Sequence, residues 1–443
     1  MSHFKIKYLL IPLLGFFWLE GFSQAPATKT LPEIWDLAAC LQYAKDNNIQ
    51  VQSLKLDKQS AEQNQILAKA AVFPDLSGSA SQSFNHYNLN SGNSSSINAS
   101  GSYGLNSTWT LYQAGYLKMD IQQKDLAVQS ANYNILQTEN DITLQITQAY
   151  LSILLDKESI IYNRDLVATS IAQLEQAQRL YDAGATARKN LVQLEAQLAS
   201  DQYNLTASEN AERQDKITLK QLLQLPELEN FDIVKPDTIV TDQIIPELSA
   251  VQEYALANRP EVKNAALQIQ IADLGLGKAK AGYLPTITLS TGIGTSYAND
   301  PTYNALQQFD NNFHQQANIN LSIPIFTKKR NQTNVALANI ATEKAQLAYE
   351  DTKTTLSLAT ENAFINAQNS RNQLAAASEQ LKYNEEAYRI ANEELEIGEV
   401  DIVDFYQQRN LYVQALQSNI QAKYNAVLAA KIYEFYIGVP INL

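Results

Sequence analysis

The sequence predicts an α+β membrane protein in which pairs of amphipathic strands alternate with long helical hairpins. Residues 315–326 alternate apolar and polar side chains, and residues 116–183 contain neither proline nor glycine. The same order of segments is also written twice along the 443 residues. Strict alternation gives a strand one apolar face, and a long run without helix breakers is typical of an extended helix.

The amino-terminal segment has the pattern of a secretory signal peptide. Lys5 and Lys7 precede an apolar run, and small residues stand at Gly21 and Ser23. We therefore expect residues 1–23 to be removed on export. No later segment reaches the roughly 18 to 20 uncharged apolar residues that a membrane-spanning helix requires.

Charge, cysteine and histidine content argue against several classes of protein. The net charge of -13 is unfavourable for binding nucleic acid. Cys40 is the single cysteine, and it lies well past the apolar leader inside a helical pattern, so we expect neither an internal disulfide nor lipidation. After the leader only His86 and His314 remain, and no phosphate loop or nucleophile elbow is present. We expect no metal, no cofactor and no enzymatic activity.

Two strand pairs are predicted, at about residues 75–112 and 286–326. In the first pair, the apolar members of the alternation are Tyr103, Leu105, Trp109 and Leu111. A soluble core large enough to cover such faces is not evident among the long polar helices, so lipid is the expected solvent. The side chains expected to face lipid in the last strand are Ile319, Leu321, Ile323 and Ile325.

Long helical hairpins follow each strand pair. The run from Gly115 to Gly184 would extend about 105 Å as one helix. Its apolar residues keep a seven-residue spacing with one four-residue step, which is typical of a supercoiled helix pair. A returning helix then leads to Pro226. We predict helical hairpins at about residues 114–225 and 328–438.

The second half of the chain repeats the first. Tyr43 corresponds to Tyr254, Pro74 to Pro285, and Gly184 to Gly398. Such self-similarity indicates repeated structural units. We predict a first repeat over residues 24–226, an irregular equatorial connector over residues 227–246 and a second repeat over residues 247–443.

Four strands per chain cannot close a barrel on their own. About eight strands is the smallest closed number, and an open edge in lipid leaves backbone groups without partners. The chain must therefore associate with copies of itself. Two copies would supply eight strands and three would supply twelve, and strand arithmetic leaves both open.

Three motifs in this doubled order resemble the TolC family of outer-membrane efflux and secretion proteins, over about residues 31–442. They are Asn258-Arg259-Pro260-Glu261, Tyr283-Leu284-Pro285, and Gly398 followed by Ile402-Val403-Asp404. The resemblance implies a homotrimer whose twelve-stranded transmembrane β-barrel continues into a long periplasmic α-helical barrel of coiled-coil hairpins. It also implies a periplasmic adaptor (membrane fusion) protein and an inner-membrane pump of the RND or ABC type.

The resemblance implies functional residues at the helical tips. Asp404 matches the first of two aspartates that form the narrowest ring in the family, whereas the second position is occupied here by Gln407. Asp401 offers another carboxylate one turn earlier. Three-fold symmetry would gather the Asp404 carboxylates around a narrow axis, where they attract cations. The alternative is a solvated acidic helix end.

Other tip residues are expected to stabilise the closed state or to contact the adaptor. Salt links between Arg188 or Lys189 and Glu399 or Asp401 would hold the gate, although surface pairs contribute only about 0 to 1 kcal/mol. The glycines of the two turns would also serve simply to reverse the chain. The expected adaptor contacts are Gly184, Ala185, Gly398 and Glu399.

Two functions follow from these patterns. The first is a trimeric outer-membrane exit duct of a tripartite efflux or type I secretion system, opened at its periplasmic tip by an adaptor and powered by an inner-membrane pump. The alternative is an exported coiled-coil structural or adhesion protein without channel activity. The cargo, whether drug, metal or protein, is left open.

Overall fold

The computed structural model describes residues 32–87, 96–225, 231–236, 244–298, 303–397, 399–400 and 402–441. The predicted signal peptide, Gly398 and Asp401 lie outside the described residues. The first half of the chain forms β1 (Ile34–Trp35), α1 (Leu37–Asn47), α2 (Ile49–Ala70), β2 (Ser77–Tyr87), β3 (Ser96–Tyr112), α3 (Tyr116–Asp182) and α4 (Arg188–Leu223). The second half forms β4 (Asp232–Ile233), α5 (Leu248–Asn258), α6 (Pro260–Ala281), β5 (Thr286–Tyr297), α7 (Ala305–Asn311), β6 (His314–Ser322), α8 (Arg330–Ile397) and α9 (Ile402–Tyr436).

Strands β2, β3, β5 and β6 form one antiparallel sheet in that order. Aligned residues share a face, so the register separates the side chains into an apolar and a polar surface. On the apolar face Trp109, Leu289 and Ile319 align across three strands. The neighbouring positions on the polar face are Thr108, Ser290 and Asn318.

The last strand is shorter than its alternation predicts. It ends at Ser322, so Ile319 and Leu321 lie within β6 whereas Ile323 and Ile325 follow it. Pro324 has no backbone N–H to donate to a ladder, which accounts for the end of pairing here.

Four helices continue side by side beneath the sheet. α2, α3, α6 and α8 pack in the same order as the strands to which they connect. α3 contains 67 residues and α8 contains 68, so each extends about 100 Å at 1.5 Å per residue. Towards their far ends α3 pairs with α4, α8 pairs with α9, and α9 also contacts α3.

The main hydrophobic core lies around the middle of α3. Ile153 and Leu154 are fully buried there against residues of α1, α4 and α9, including Leu219 and Tyr424. The parallel pair of β1 and β4 closes one side of this core, and the Tyr150 hydroxyl donates a 2.7 Å hydrogen bond to the carbonyl of Val234. The predicted connector thus includes a short strand, β4, that is fastened to β1 and α3 of the first half.

Helix breaks occur where the backbone has a local reason to turn. Asn48 separates α1 from α2 and caps α2, because its side chain accepts hydrogen bonds from the backbone N–H groups of Gln50 and Val51. In the second half Pro260 occupies the first turn of α6, where its missing N–H is harmless. Within the described residues, no helix combines the length and the apolar character needed to cross a membrane.

Candidate functional site

The candidate site is the end of the molecule formed by the two helix-to-helix turns. In the first turn α3 ends at Asp182, and Gly184 adopts a left-handed conformation with φ of 72°. The N–H of Ala185 bonds back to the carbonyl of Leu180 over 2.8 Å, which satisfies one of the terminal helix carbonyls. Gly184 and Ala185 are both exposed at this turn.

The second turn leads into α9, whose first turn carries Asp404. Asp404 and Gln407 are exposed and lie on one side of the helix, three residues apart. Phe405 and Arg409 lie on the opposite side and are 0% and 1% exposed. Packing of the buried side therefore fixes the direction in which Asp404 and Gln407 project.

The predicted gate cations are not joined to the predicted gate carboxylate within one chain. Arg188 and Lys189 begin α4 and are exposed, and Glu399 is exposed beyond the end of α8. Among the described residues, neither cation lies within ion-pair distance of Glu399. Asp401, the other expected partner, is outside the described part of the chain.

A buried ion pair instead links the two hairpins about 10 Å along α9 from its start. The Arg409 guanidinium donates a 2.7 Å hydrogen bond to Asp201 of α4 and a 3.0 Å hydrogen bond to Ser170 of α3. Asp201 is 3% exposed, and its other carboxylate oxygen accepts a 3.0 Å hydrogen bond from Gln197. One residue of the second hairpin thus binds both helices of the first.

Within the described residues, only part of the buried Arg409 guanidinium is hydrogen-bonded. Its Nε and Nη1 groups are buried without a hydrogen-bond partner among the described residues, and so is the hydroxyl of Tyr406. Burial raises the pKa of Tyr406 to about 12, although the positive charge of Arg409 opposes this shift. Because Arg409 has few acceptors, its interaction with Asp201 is the principal compensation for burying the charge.

A second contact joins the hairpins nearer the main core. Lys423 of α9 lies 3.0 Å from Glu158 of α3, and the Tyr424 hydroxyl donates a 2.7 Å hydrogen bond to the same carboxylate. Burial would raise the pKa of Glu158, but the hydrogen bonds from Tyr424 and Lys423 outweigh it and lower the pKa. α9 is therefore fastened to α3 at two levels.

Sequence reasoning did not identify Arg409, Asp201 or Ser170. Each residue is a common polar side chain on a long helix, where a solvated position is the ordinary interpretation. The available signal was the heptad phase: Arg409 follows the apolar Phe405 by four residues and therefore occupies the same inward side.

The expected lipid-facing side chains are exposed in the single chain. Ile319 is 72% and Leu321 60% exposed on the apolar face of the sheet, and Ile323 and Ile325 continue this exposure beyond the strand. His86 and His314 lie in β2 and β6. Within the described part of the chain, no three His, Cys, Asp or Glu residues are grouped in a way that could hold a metal.

Comparison with known proteins finds relatives that are named as outer membrane or efflux proteins. The chain is 21% identical over 429 residues to outer membrane protein TolC of Vibrio cholerae, covering 95% of this chain and 93% of that protein. It is 25% identical over 324 residues to cation efflux system protein CusC of Escherichia coli O157:H7, covering 69% of this chain and 65% of that protein.

Solved structures share the fold. A crystal structure of CusC, described with its transmembrane channel formation, matches with a TM-score of 0.80 and 18% identity over 90% of this chain and 91% of that one. The outer membrane protein VceC from Vibrio cholerae matches with a TM-score of 0.77 and 16% identity over 91% of this chain and 96% of that one.

These likenesses confirm the predicted resemblance, the α+β fold class and the outer-membrane location. A model of the outer membrane efflux protein family matches residues 40–224 and 251–432, which is most of the sequence. The chain belongs to the outer membrane efflux protein family.

Proposed function

We propose that three copies of this chain form an exit duct through the outer membrane, with twelve strands in the barrel and a helical tunnel in the periplasm. The observation that carries the proposal is the four-stranded sheet with one apolar, solvent-exposed face and two outer edges, β2 and β6, that pair with no further strand among the described residues. In lipid each unpaired backbone group costs several kcal/mol, so the edges must pair with those of other copies.

Assembly would be head to tail, because the two edges differ. β2 of one copy would pair with β6 of the next, and the exposed side of α8 would pack beside α2 and α4 of the neighbour. Exposed apolar residues support this contact, including Leu56 on α2 and Leu347 and Leu358 on α8. Rotation through three copies closes the ring without a free edge.

The regulated step would take place at the tip. Docking of a periplasmic adaptor on the turns around Gly184 and Glu399 would move the second hairpin away from the first, which requires the contact between Arg409 and Asp201 to break. The ring of Asp404 side chains would then widen. The duct itself would have no catalytic activity, and its energy would come from an inner-membrane pump of the RND or ABC type.

Replacing Asp404 by Ala tests the role of the ring. Three carboxylates around a narrow axis attract multivalent cations. In single-channel recordings, cobalt or hexamminecobalt should therefore block the wild-type channel more strongly than the Asp404→Ala channel. Glu343→Ala is the matched control, because it removes an exposed carboxylate from α8 far from the tip. Equal block of all three channels would refute the assignment.

The cargo is a separate proposal. Relatives include a protein named for cation efflux and one named toxin and drug export protein A of Aggregatibacter actinomycetemcomitans, which matches over 82% of this chain. Because a duct imposes little selectivity, we propose that the pump selects the cargo. Co-purification of the inner-membrane partner would identify it.

The alternative function, an exported coiled-coil structural or adhesion protein, differs in its behaviour towards detergent. A structural protein with this sheet would leave membranes in aqueous buffer and conduct no ions. The exposed apolar face of β6 favours the duct. Extraction without detergent would favour the alternative.

A further inference from the structure

Each of the four junctions between a strand of the sheet and the helix connected to it combines an exposed apolar side chain with an exposed cation. The apolar residues are Phe73, Tyr112, Tyr283 and Phe326, one for each junction. The nearby cations are Lys69, Lys118, Lys280, Lys328, Lys329 and Arg330, which together we name the junction belt.

The junction belt is strongly positive on an acidic protein. Residues 69–76, 112–118, 280–284 and 325–330 contain six cations and a single carboxylate, Asp75. The whole chain, by contrast, has a net charge of -13. That carboxylate accepts a hydrogen bond from the backbone N–H of Thr108. None of the six cations forms an ion pair with another described residue, so the belt is not neutralised within the chain.

Helix electrostatics account for only two of these cations. Lys69 and Lys280 lie in the last turns of α2 and α6, where a positive charge is favourable. Lys118 lies in the first turn of α3, and Lys328 to Arg330 lead into α8. Cations at a helix amino terminus oppose the helix dipole, so helix electrostatics do not favour them there.

The backbone conformation of the last junction also indicates that helix electrostatics alone do not account for its lysines. Lys328 and Lys329 have φ of 50° and 67°, a left-handed conformation that favours glycine. The shift along the chain that aligns Gly184 with Gly398 aligns these lysines with Ala114 and Gly115, whose φ values are 48° and 76°. The first half of the chain thus makes the same turn with a glycine, while the second half retains two lysines despite the backbone strain.

We propose that the junction belt binds the phosphates of anionic phospholipid headgroups in the membrane leaflet nearest the helices. This inference rests on the proposed barrel, because the apolar face of the sheet must lie in hydrocarbon for the junctions to reach the headgroup layer. Aromatic and apolar side chains at the boundary, followed by cations, match the order of hydrocarbon, interface and phosphate. The belt would set the depth and tilt of the barrel in its membrane.

The test variant combines Lys328→Ala, Lys329→Gly and Arg330→Gln in the full chain. Its first two changes reproduce the turn of the first half of the chain, so the backbone is relieved rather than strained. The matched control removes three charges from exposed sites elsewhere on α8, through Lys344→Gln, Lys382→Gln and Arg389→Gln.

Native mass spectrometry of the detergent-solubilised protein would compare binding of short-chain phosphatidylglycerol and phosphatidylcholine. We expect the wild type and the control to bind phosphatidylglycerol more strongly than phosphatidylcholine. In the variant, the ratio of these two affinities should fall about fivefold for each charge removed from each chain. An unchanged preference in the variant would overturn the proposal. The proposal would also be overturned if inorganic phosphate competed for the site as well as phosphatidylglycerol does at the same concentration, because that would indicate a generic phosphate site.

The same spectra give the number of chains in each particle. A variant that remains trimeric and conducts ions in phosphatidylcholine bilayers, yet retains its preference for phosphatidylglycerol, refutes the junction belt alone. A wild type that neither assembles nor conducts refutes the proposed duct instead.

Discussion

Replacing Asp201 by Ala should release the second hairpin from the first. The substitution leaves Arg409 buried without the carboxylate that compensates its charge, and its Nε and Nη1 groups still have no hydrogen-bond partner in the described part of the chain. Removing one partner of a buried ion pair costs about 3 to 5 kcal/mol. If this energy is present only while the hairpins are closed, the ratio of closed to open tips falls by a factor of about 10² to 4 × 10³.

Single-channel recording at neutral pH is the assay. The wild type should remain mostly in its low-conductance state, whereas Asp201→Ala should show frequent openings. Asp201→Leu combined with Arg409→Met should restore closure, because a well-packed apolar pair is often as stable as a buried ion pair. Glu209→Ala is the control, since it removes an exposed pair with Arg164 at 4.0 Å within the first hairpin, between α3 and α4, and should change little.

The outcome of the recordings is decisive for the role of the pair. If the Asp201→Ala channel opens only as often as the wild type, the contact does not hold the tip closed. Openings in the doubly substituted channel equal to those of the single variant would show that cavity formation, and not the unpaired charge, loosens the hairpins.

Three further predictions concern stability. Burial, followed by the charges of Asp215 and Glu212, raises the pKa of Asp156 to about 7, so its contribution to folding is present below the unfolded value of 3.8 and is lost as pH rises through 7. Asp156→Asn should therefore exceed the wild type in thermal stability by a margin that grows from pH 4 to pH 7. Leu154→Ala should lower the free energy of unfolding by about 2 to 5 kcal/mol in denaturant titrations, because Leu154 is fully buried. Gly184→Val should destabilise the tip by about 1 to 2 kcal/mol in hydrogen exchange, because φ at Gly184 is 72°.

A specific result would contradict each of these three predictions. A constant margin for Asp156→Asn across the pH range would mean that Asp156 is ionised in the folded protein. A loss below about 1 kcal/mol for Leu154→Ala would place this residue outside the main core. Unchanged exchange at the tip of Gly184→Val would mean that the turn tolerates a branched side chain.

The sequence allowed the sheet and the long helices to be predicted because their periodic patterns are local. Alternation identified the apolar face that includes Trp109 and Ile319, and the absence of helix breakers identified α3. Helix α7 was missed because it is only seven residues long, too short for a periodic signal. The break at Asn48 was missed because a capping residue interrupts the backbone without interrupting the apolar pattern.

Features that depend on distant residues could not be predicted. β1 and β4 have two residues each, and their pairing joins positions about 200 residues apart, for which no local pattern exists. The pair of Arg409 and Asp201 similarly arises from packing α9 against α3 and α4. The predicted boundaries of the two repeats and the roles assigned to the tip residues remain predictions.

The central claim is that three copies close one barrel, and the mass of the particle extracted from membranes tests it most directly. Native mass spectrometry of the full chain in detergent should give three copies, because the edge strands β2 and β6 pair between neighbours. A particle of two copies, which would close eight strands, would contradict the account. A single chain that remains soluble without detergent would contradict it as well.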